Sequence, residues 1–223
     1  MAKMAGGMMR YGIPVYRLPR EILDAEVQRI LDMGVTIEYG RKIENVLAEK
    51  ENGKYDAVIM GMGASLSSNV DIPSGDTTRI LTALDVLEKV STDGDIQIGR
   101  KVAVYGGGNT AVDVARSLRR LGAEPIIVYR RNRDKMPANE EEMDGAIEEG
   151  IEVKWLSTID QAQGETLKIE KMALDEKGNP QPTGEYEDMP ADSVVLAIGQ
   201  NVDLSPLQAI PGLELQKDAV TVN

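Results

Sequence analysis

The chain has 223 residues, 42% of them hydrophobic, and a formal net charge of −12; it can fill a core as one large or two small domains and is a poor partner for nucleic acid or anionic membranes. With no cysteine and no histidine it has no disulfide redox centre, no Cys/His zinc site and no histidine base, so no catalytic and no metal-binding residue is assigned. No run approaches the roughly 18 apolar residues of a membrane span and the amino terminus lacks a secretory signal's apolar core, which leaves the cytoplasm as the default compartment.

The first twenty residues are irregular and rich in glycine and proline. Pro19 opens a helix running to Met33, with Ile22, Leu23, Val27, Ile30 and Leu31 on its buried face and Gly34 as its stop. Val35 to Tyr39 reads as a strand. Two more, near Lys42 to Glu49 and Lys54 to Met60, flank Asn52-Gly53, a hairpin signal. Residues 65–76 form a connector, since Ser, Asn, Pro and Gly dominate them. A helix with Ile80, Leu84 and Leu87 on one face then runs to about Val90.

Lys101 to Arg131 is the most informative stretch. Val102 to Tyr105 is a short apolar run suited to a buried parallel strand, and Gly106, Gly107 and Gly108 follow without a spacer. A helix begins near Thr110, carries Val112, Ala115, Leu118 and Leu121 at three-residue steps and stops at Gly122, before the strand of Ile126, Ile127 and Val128. Gly106, Gly108 and Ala111 make a G-x-G-x-x-A pattern: a tight turn, a close backbone approach to a pyrophosphate, and close helix–strand packing. Backbone N–H groups at the helix start, with the helix dipole, favour an anion there.

The residue ending the second strand selects the dinucleotide. NAD sites place Asp or Glu there to accept the ribose 2′-hydroxyl. Here the position, 24 residues past Gly106, holds Arg130, followed by Arg131 and then Arg133. Guanidinium groups suit a 2′-phosphate, which points to NADP(H) rather than NAD(H). The competing reading makes these arginines a solvated loop paired with Glu140, Glu141 and Glu142.

Beyond Arg133 an acidic helix spans about Asn139 to Glu149 and ends at Gly150; its glutamates read as a wet face. Ile151 to Leu156 and Leu167 to Leu174 are strands, the latter antiparallel and followed by a Gly178-Asn179-Pro180 turn. A last strand, Ser193 to Ile198, runs into Gly199 and echoes the earlier 56–63 segment: Asp, a buried strand, then glycine.

Five segments in matching order carry a resemblance: GGMMRYGIPVYRLP (6–19), YDAVIMGMGA (55–64), VAVYGGGNTAVDVAR (102–116), VYRRNRDKMPA (128–138) and ADSVVLAIGQNVD (191–203). Together they resemble the small subunit of NADPH-dependent glutamate synthase and its relatives, flavoproteins related to the pyridine nucleotide-disulfide oxidoreductases. The resemblance implies an α/β fold: a Rossmann-like NAD(P)H-binding domain, with a parallel sheet, helices and a small antiparallel crossover sheet, attached to part of a split FAD-binding domain. The implied boundaries are a partial FAD segment at 1–70, the NADP(H) domain at 71–198 and a returning FAD segment at 199–223. It implies NADPH binding through Gly106, Gly107, Gly108, Asn109, Thr110, Ala111, Arg130 and Arg131, with Ala197, Ile198 and Gly199 near the nicotinamide and Gly12, Ile13 and Pro14 near the flavin.

Departures accompany the matches. The family's iron-sulfur region, first FAD glycine motif and final Gly-Asp motif have no counterpart, Met60 and Met62 replace smaller residues, and Ser74-Gly75-Asp76 breaks the usual order after Ile72-Pro73. The chain therefore reads as truncated at both ends. The implied function is the NADPH-binding portion of an oxidoreductase passing hydride from NADPH to FAD for onward electron transfer, inactive and not expected to hold FAD alone. A large catalytic subunit or another electron-accepting protein is the implied partner. The alternatives are a nucleotide-binding or interaction module without turnover, and an NADH-linked relative serving another acceptor. A non-flavin dehydrogenase fits less well for want of a Tyr-x-x-x-Lys pair, and a methyltransferase for want of an acidic residue at Arg130.

Overall fold

The structure is a computed structural model that describes residues 3–74, 79–216 and 219–221. Chain contacts divide it into two units: Met1–Arg10, Val15–Leu66 and Gln200–Asn223 form one, Tyr11–Pro14 and Ser67–Gly199 the other. In chain order the helices and strands as far as residue 196, leaving aside one short 3-10 turn, are α1 (Met8–Tyr11), α2 (Arg20–Asp32), α3 (Val46–Gly53), β1 (Leu66–Ser67), β2 (Arg79–Thr82), α4 (Ala83–Ser91), β3 (Lys101–Tyr105), α5 (Asn109–Arg120), β4 (Glu124–Val128), α6 (Glu140–Glu148), β5 (Glu152–Lys154), β6 (Ser157–Gln163), β7 (Thr166–Leu174), β8 (Pro180–Pro190) and β9 (Ser193–Leu196).

The larger unit is built on a five-stranded sheet of order β2-β9-β3-β4-β5, parallel throughout. Alternation along each strand sends side chains to two different layers. Val102, Val104, Ile127 and Val195 join Val86 and Leu87 of α4, Val112 and Leu118 of α5 and Met143 of α6 in one core. Ala103, Val128, Val194 and Leu196 pack on the other face with Ile159, Ala162, Leu167, Ile169 and Met189 of the antiparallel sheet β6-β7-β8. The parallel sheet is thus covered on both faces, which its near-continuous apolar strands require. The expected α/β class, with parallel and small antiparallel sheets, is what forms.

Local chemistry fixes the ends of these elements. The Asp192 carboxylate accepts from the amides of Arg100 (3.0 Å) and Lys101 (3.2 Å), and the Ser193 hydroxyl from that of Gly99 (3.0 Å), aligning the starts of β3 and β9. The Asn139 side chain caps α6 at the amides of Glu141 (2.9 Å) and Glu142 (3.4 Å). The largely buried Arg116 of α5 clasps Glu142 and Glu149, and Arg120 also reaches Glu149 at 2.7 Å. Burial pushes the Glu149 carboxyl up, but the two guanidinium groups outweigh it and hold it below the usual carboxylate range. The acidic helix is therefore only partly a wet face.

The other unit departs from what its sequence suggests. Residues 35–39 form no strand, and the expected strands around Asn52-Gly53 are replaced by α3. There Asn45 caps the helix, its side chain accepting from the Ala48 amide at 3.0 Å, and Lys54 takes the left-handed conformation (φ 53°) that closes it. Asn-Gly thus ends a helix instead of turning a hairpin. The segment 55–65 is likewise not a strand, and Ile59 is 96% exposed. Of the apolar residues expected on the buried face of α2 only Leu23 is buried, against Gly6, while Ile22 and Ile30 lie about half exposed. Among the described residues none of this unit belongs to either large apolar cluster, so these strand-like and amphipathic segments have no described layer to lie on.

Two further corrections concern the larger unit. Ile80 belongs to β2 rather than to the following helix, which starts after Thr82 caps it by accepting from the Asp85 amide at 3.3 Å. β6 joins the antiparallel sheet unannounced by any alternating pattern. Within the expected connector, Gly75 and Asp76 lie outside the described residues.

Leu118→Ala should cost about 3 kcal/mol in denaturant unfolding, as a fully buried leucine emptied of its side chain does, whereas Ile30→Ala should change stability by less than about 0.5 kcal/mol.

Candidate functional site

The site lies at the carboxyl ends of β3, β4 and β9. The chain runs outward from β3 to β4 and β5 on one side and returns through β9 on the other, so β3 and β9 flank the point where strand order reverses. Open parallel sheets form a crevice at such a point. Here a cleft of about 600 Å³ is lined by the glycine turn, by Tyr129, Arg130, Arg131 and Pro137 beyond β4, and by Ala197, Ile198 and Gly199 beyond β9.

Each glycine of the turn answers a separate need. Gly106 adopts φ 153°, and a Cβ on it would stand 2.1 Å from the Ala197 carbonyl oxygen, a backbone atom that cannot yield. Its amide donates to the Val128 carbonyl (3.1 Å), while the Ala197 amide donates to that of Tyr105 (2.8 Å), so three strand ends close on one point. A Cβ on Gly107 would enter the Tyr129 ring at 2.3 Å. Gly108 caps α5 without a side chain, and a Cβ there would meet nothing within 4 Å: it faces open cleft. The start of α5 carries no acidic residue in its first turn, which suits it to an incoming anion.

The positive charges of the next segment are unequally used. Arg133 pairs with Asp144 on α6. Among the described residues neither Arg130, which is exposed, nor Arg131 has a carboxylate partner, and the buried Nε of Arg131 has no hydrogen-bond partner. The reading in which Arg130 and Arg131 pair with Glu140, Glu141 and Glu142 does not hold: of these glutamates it is Glu142 that is paired, and with Arg116. Arg130 and Arg131 thus line a cleft without a carboxylate partner among the described residues, in a chain of net charge −12.

Of the residues picked from sequence, Gly106, Gly107, Gly108, Thr110, Arg130, Arg131, Ala197, Ile198 and Gly199 line the cleft together. Asn109 and Ala111 do not. Ala111 is fully buried where α5 meets β3, and the Asn109 side chain accepts from the Asn139 amide at 2.7 Å. Gly12, Ile13 and Pro14 belong to the same compact unit but do not line the cleft, and Gly12 and Pro14 are buried. Sequence reasoning missed Tyr129, Asn69 and Val70 as lining residues. Tyr129 was visible as the residue before the arginine pair, whereas Asn69 and Val70 lay in a connector with no pattern to mark them.

Residues 7–223 match the family model of the pyridine nucleotide-disulphide oxidoreductases. The chain belongs to that family. It is 36% identical over 230 residues to the NADPH-Fe(3+) oxidoreductase subunit beta of Geobacter sulfurreducens, covering 95% of this chain and 34% of that one. It is 35% identical to the NADP(+)-dependent formate dehydrogenase subunit beta of Moorella thermoacetica (91% and 31%) and 30% identical to a protein named as an NADPH glutamate synthase small chain from Cereibacter sphaeroides (96% and 57%). The chain thus spans between about a third and three-fifths of the length of these relatives. Among solved structures, Mycobacterium tuberculosis FprA in complex with NADPH shares the fold at a TM-score of 0.70 and 19% identity, over 94% of this chain and 64% of that one. The family match supports a pyridine nucleotide as a cofactor.

Gly106→Ala should destabilise the fold by more than about 2 kcal/mol, because the new methyl meets a fixed carbonyl in a backbone conformation alanine rarely adopts. Gly108→Ala should cost no more than about 1 kcal/mol, the scale of a helix-cap change. Equal losses in chemical denaturation would contradict this division.

Proposed function

We propose that the larger unit binds NADP(H) in the cleft at the β3–β9 switch point and presents it for hydride transfer to a flavin. In this reading the amides of Gly107, Gly108 and Thr110 and the start of α5 receive the pyrophosphate, Arg130 and Arg131 receive the 2′-phosphate, and Ala197 to Gly199 border the nicotinamide. The observation that carries it is the pair of uncommitted guanidinium groups beside a glycine turn that opens into the cleft. Either arginine would have to leave a carboxylate to meet a phosphate if it were paired, and among the described residues neither is.

The rest of the reading rests on the family. A flavin supplies a two-electron acceptor that can release its electrons singly, and orientation of the stacked rings together with exclusion of water, more than acid or base, governs the transfer. A chain without histidine or cysteine can meet those needs. The 1–70 and 199–223 segments would then be parts of an FAD-binding domain, with Gly12, Ile13 and Pro14 towards the flavin, and the electrons would pass to a partner subunit. The names of the Geobacter, Moorella and Cereibacter relatives, as beta subunits and a small chain, support a partner of that kind, and glutamate synthase is one such setting.

Replacing Arg130 and Arg131 together by alanine should weaken NADPH binding at least tenfold in calorimetric titration, the scale of one or more lost charge-assisted hydrogen bonds, while NADH affinity changes less than threefold. Unchanged NADPH affinity would overturn the assignment.

A further inference from the structure

We infer that Tyr129 and Asn109 are positioning residues for 2′-phosphate recognition, acting by strapping the segment 129–139 across the glycine turn. This rests on the NADP(H) reading above and extends it to residues that need not touch the phosphate.

The segment leaves β4 with its backbone already held. The Tyr129 amide donates to the Lys154 carbonyl and its carbonyl accepts from the Ser157 amide, each at 3.0 Å, and the Arg131 carbonyl accepts from the Leu156 amide at 3.1 Å. Leu156 makes that last bond from a left-handed conformation (φ 48°) that leucine rarely adopts, so the anchor at Arg131 is held against local backbone preference. The far end is held differently. The Tyr129 hydroxyl donates to the Lys135 carbonyl at 2.8 Å, the Ala138 amide donates to the Gly107 carbonyl at 3.1 Å, and the Asn139 amide donates to the Asn109 side chain at 2.7 Å.

These bonds close a loop whose two cleft-facing charges are Arg130 and Arg131, and they tie it to the same turn that takes the pyrophosphate. Tyr129 is the hinge of the arrangement. Its ring lies against Gly107 with no room for a methyl between them, it meets Trp155 edge-on at a centroid distance of 6.3 Å, and its residue is 8% exposed. The hydroxyl is thus fixed by packing, and the loop by the hydroxyl. Asn109 supplies the second tie from the first residue of α5. These two side chains act with the backbone bonds to set the distance between the pyrophosphate cradle and the two arginines, so discrimination between 2′-phosphate and 2′-hydroxyl should depend on them.

The test compares two probes on the full chain, 2′,5′-ADP and 5′-AMP, which differ by the 2′-phosphate, in wild type, Tyr129→Phe and Asn109→Ala. The ratio of the two dissociation constants is the readout, because a loss of folded protein or a damaged pyrophosphate cradle weakens both ligands alike and leaves the ratio unmoved. Tyr129→Phe keeps the ring under Gly107, and Asn109 is exposed, so Asn109→Ala retains the fold should the first variant lose it. Each variant should lower the wild-type preference for 2′,5′-ADP about fivefold, chiefly through weaker 2′,5′-ADP binding. A ratio equal to wild type in the folded variants would overturn the positioning role. A wild-type ratio near one would instead overturn the NADP(H) reading itself.

Discussion

The site depends on a place where side chains are excluded. At Gly106 and Gly107 the ends of β3, β4 and β9 and the ring of Tyr129 approach so closely that a single methyl would collide with the Ala197 carbonyl or with the ring. Because those contacts are made by backbone and by a buried aromatic, neither can yield cheaply. The convergence brings a helix start, an arginine segment and the Ala197–Gly199 strand exit to one crevice, and each arrives there from a different part of the sequence. Without it the same motifs would be present and unconnected.

Around that point the distribution of charge is selective. The unit contains several arginines close to the acidic helix α6, and most are spent on structure: Arg116 and Arg120 on Glu149 and Glu142, Arg133 on Asp144. Those pairs fasten α6 to α5 and anchor the loop beyond β4. Arg130 and Arg131 line the cleft with no carboxylate partner among the described residues, in a chain whose overall charge would repel a dinucleotide phosphate. Affinity for such an anion must therefore come from local geometry and not from the general field of the protein.

How much of this could be read from the sequence varied with how local its causes are. Strand β3, the turn, α5 and β4 follow from short-range chemistry: an apolar run, glycines that must be glycines, a helical stripe and Gly122 as a stop. They were legible to within a few residues. β2 was not, since Arg79-Ile80-Leu81-Thr82 is four residues long and runs directly into α4 through the Thr82 cap. The 55–65 segment failed for the opposite reason. Its apolar alternation is strand-like, but a strand is made by its neighbours, and among the described residues that segment pairs in no sheet. The pair Asn52-Gly53 shows the same dependence: with Asn45 capping upstream and Lys54 able to turn left-handed, a helix took the residues a hairpin needed. In the site, identity of the lining glycines and arginines was legible, whereas the roles of Tyr129 and Asn109 rest on hydrogen bonds to backbone atoms that no residue pattern encodes.

The central claim is that Arg130 and Arg131 meet a 2′-phosphate in this cleft, and the phosphate itself can report it. Phosphorus NMR of NADP+ titrated with pH, free and bound to the chain, follows the second ionisation of its 2′-phosphate, which for a phosphate monoester lies at about 6. Two adjacent guanidinium groups favour the doubly ionised form, so the bound nucleotide should titrate lower than the free one by about one pH unit or more. A 2′-phosphate that titrates alike free and bound, in nucleotide shown to be bound, would contradict the account.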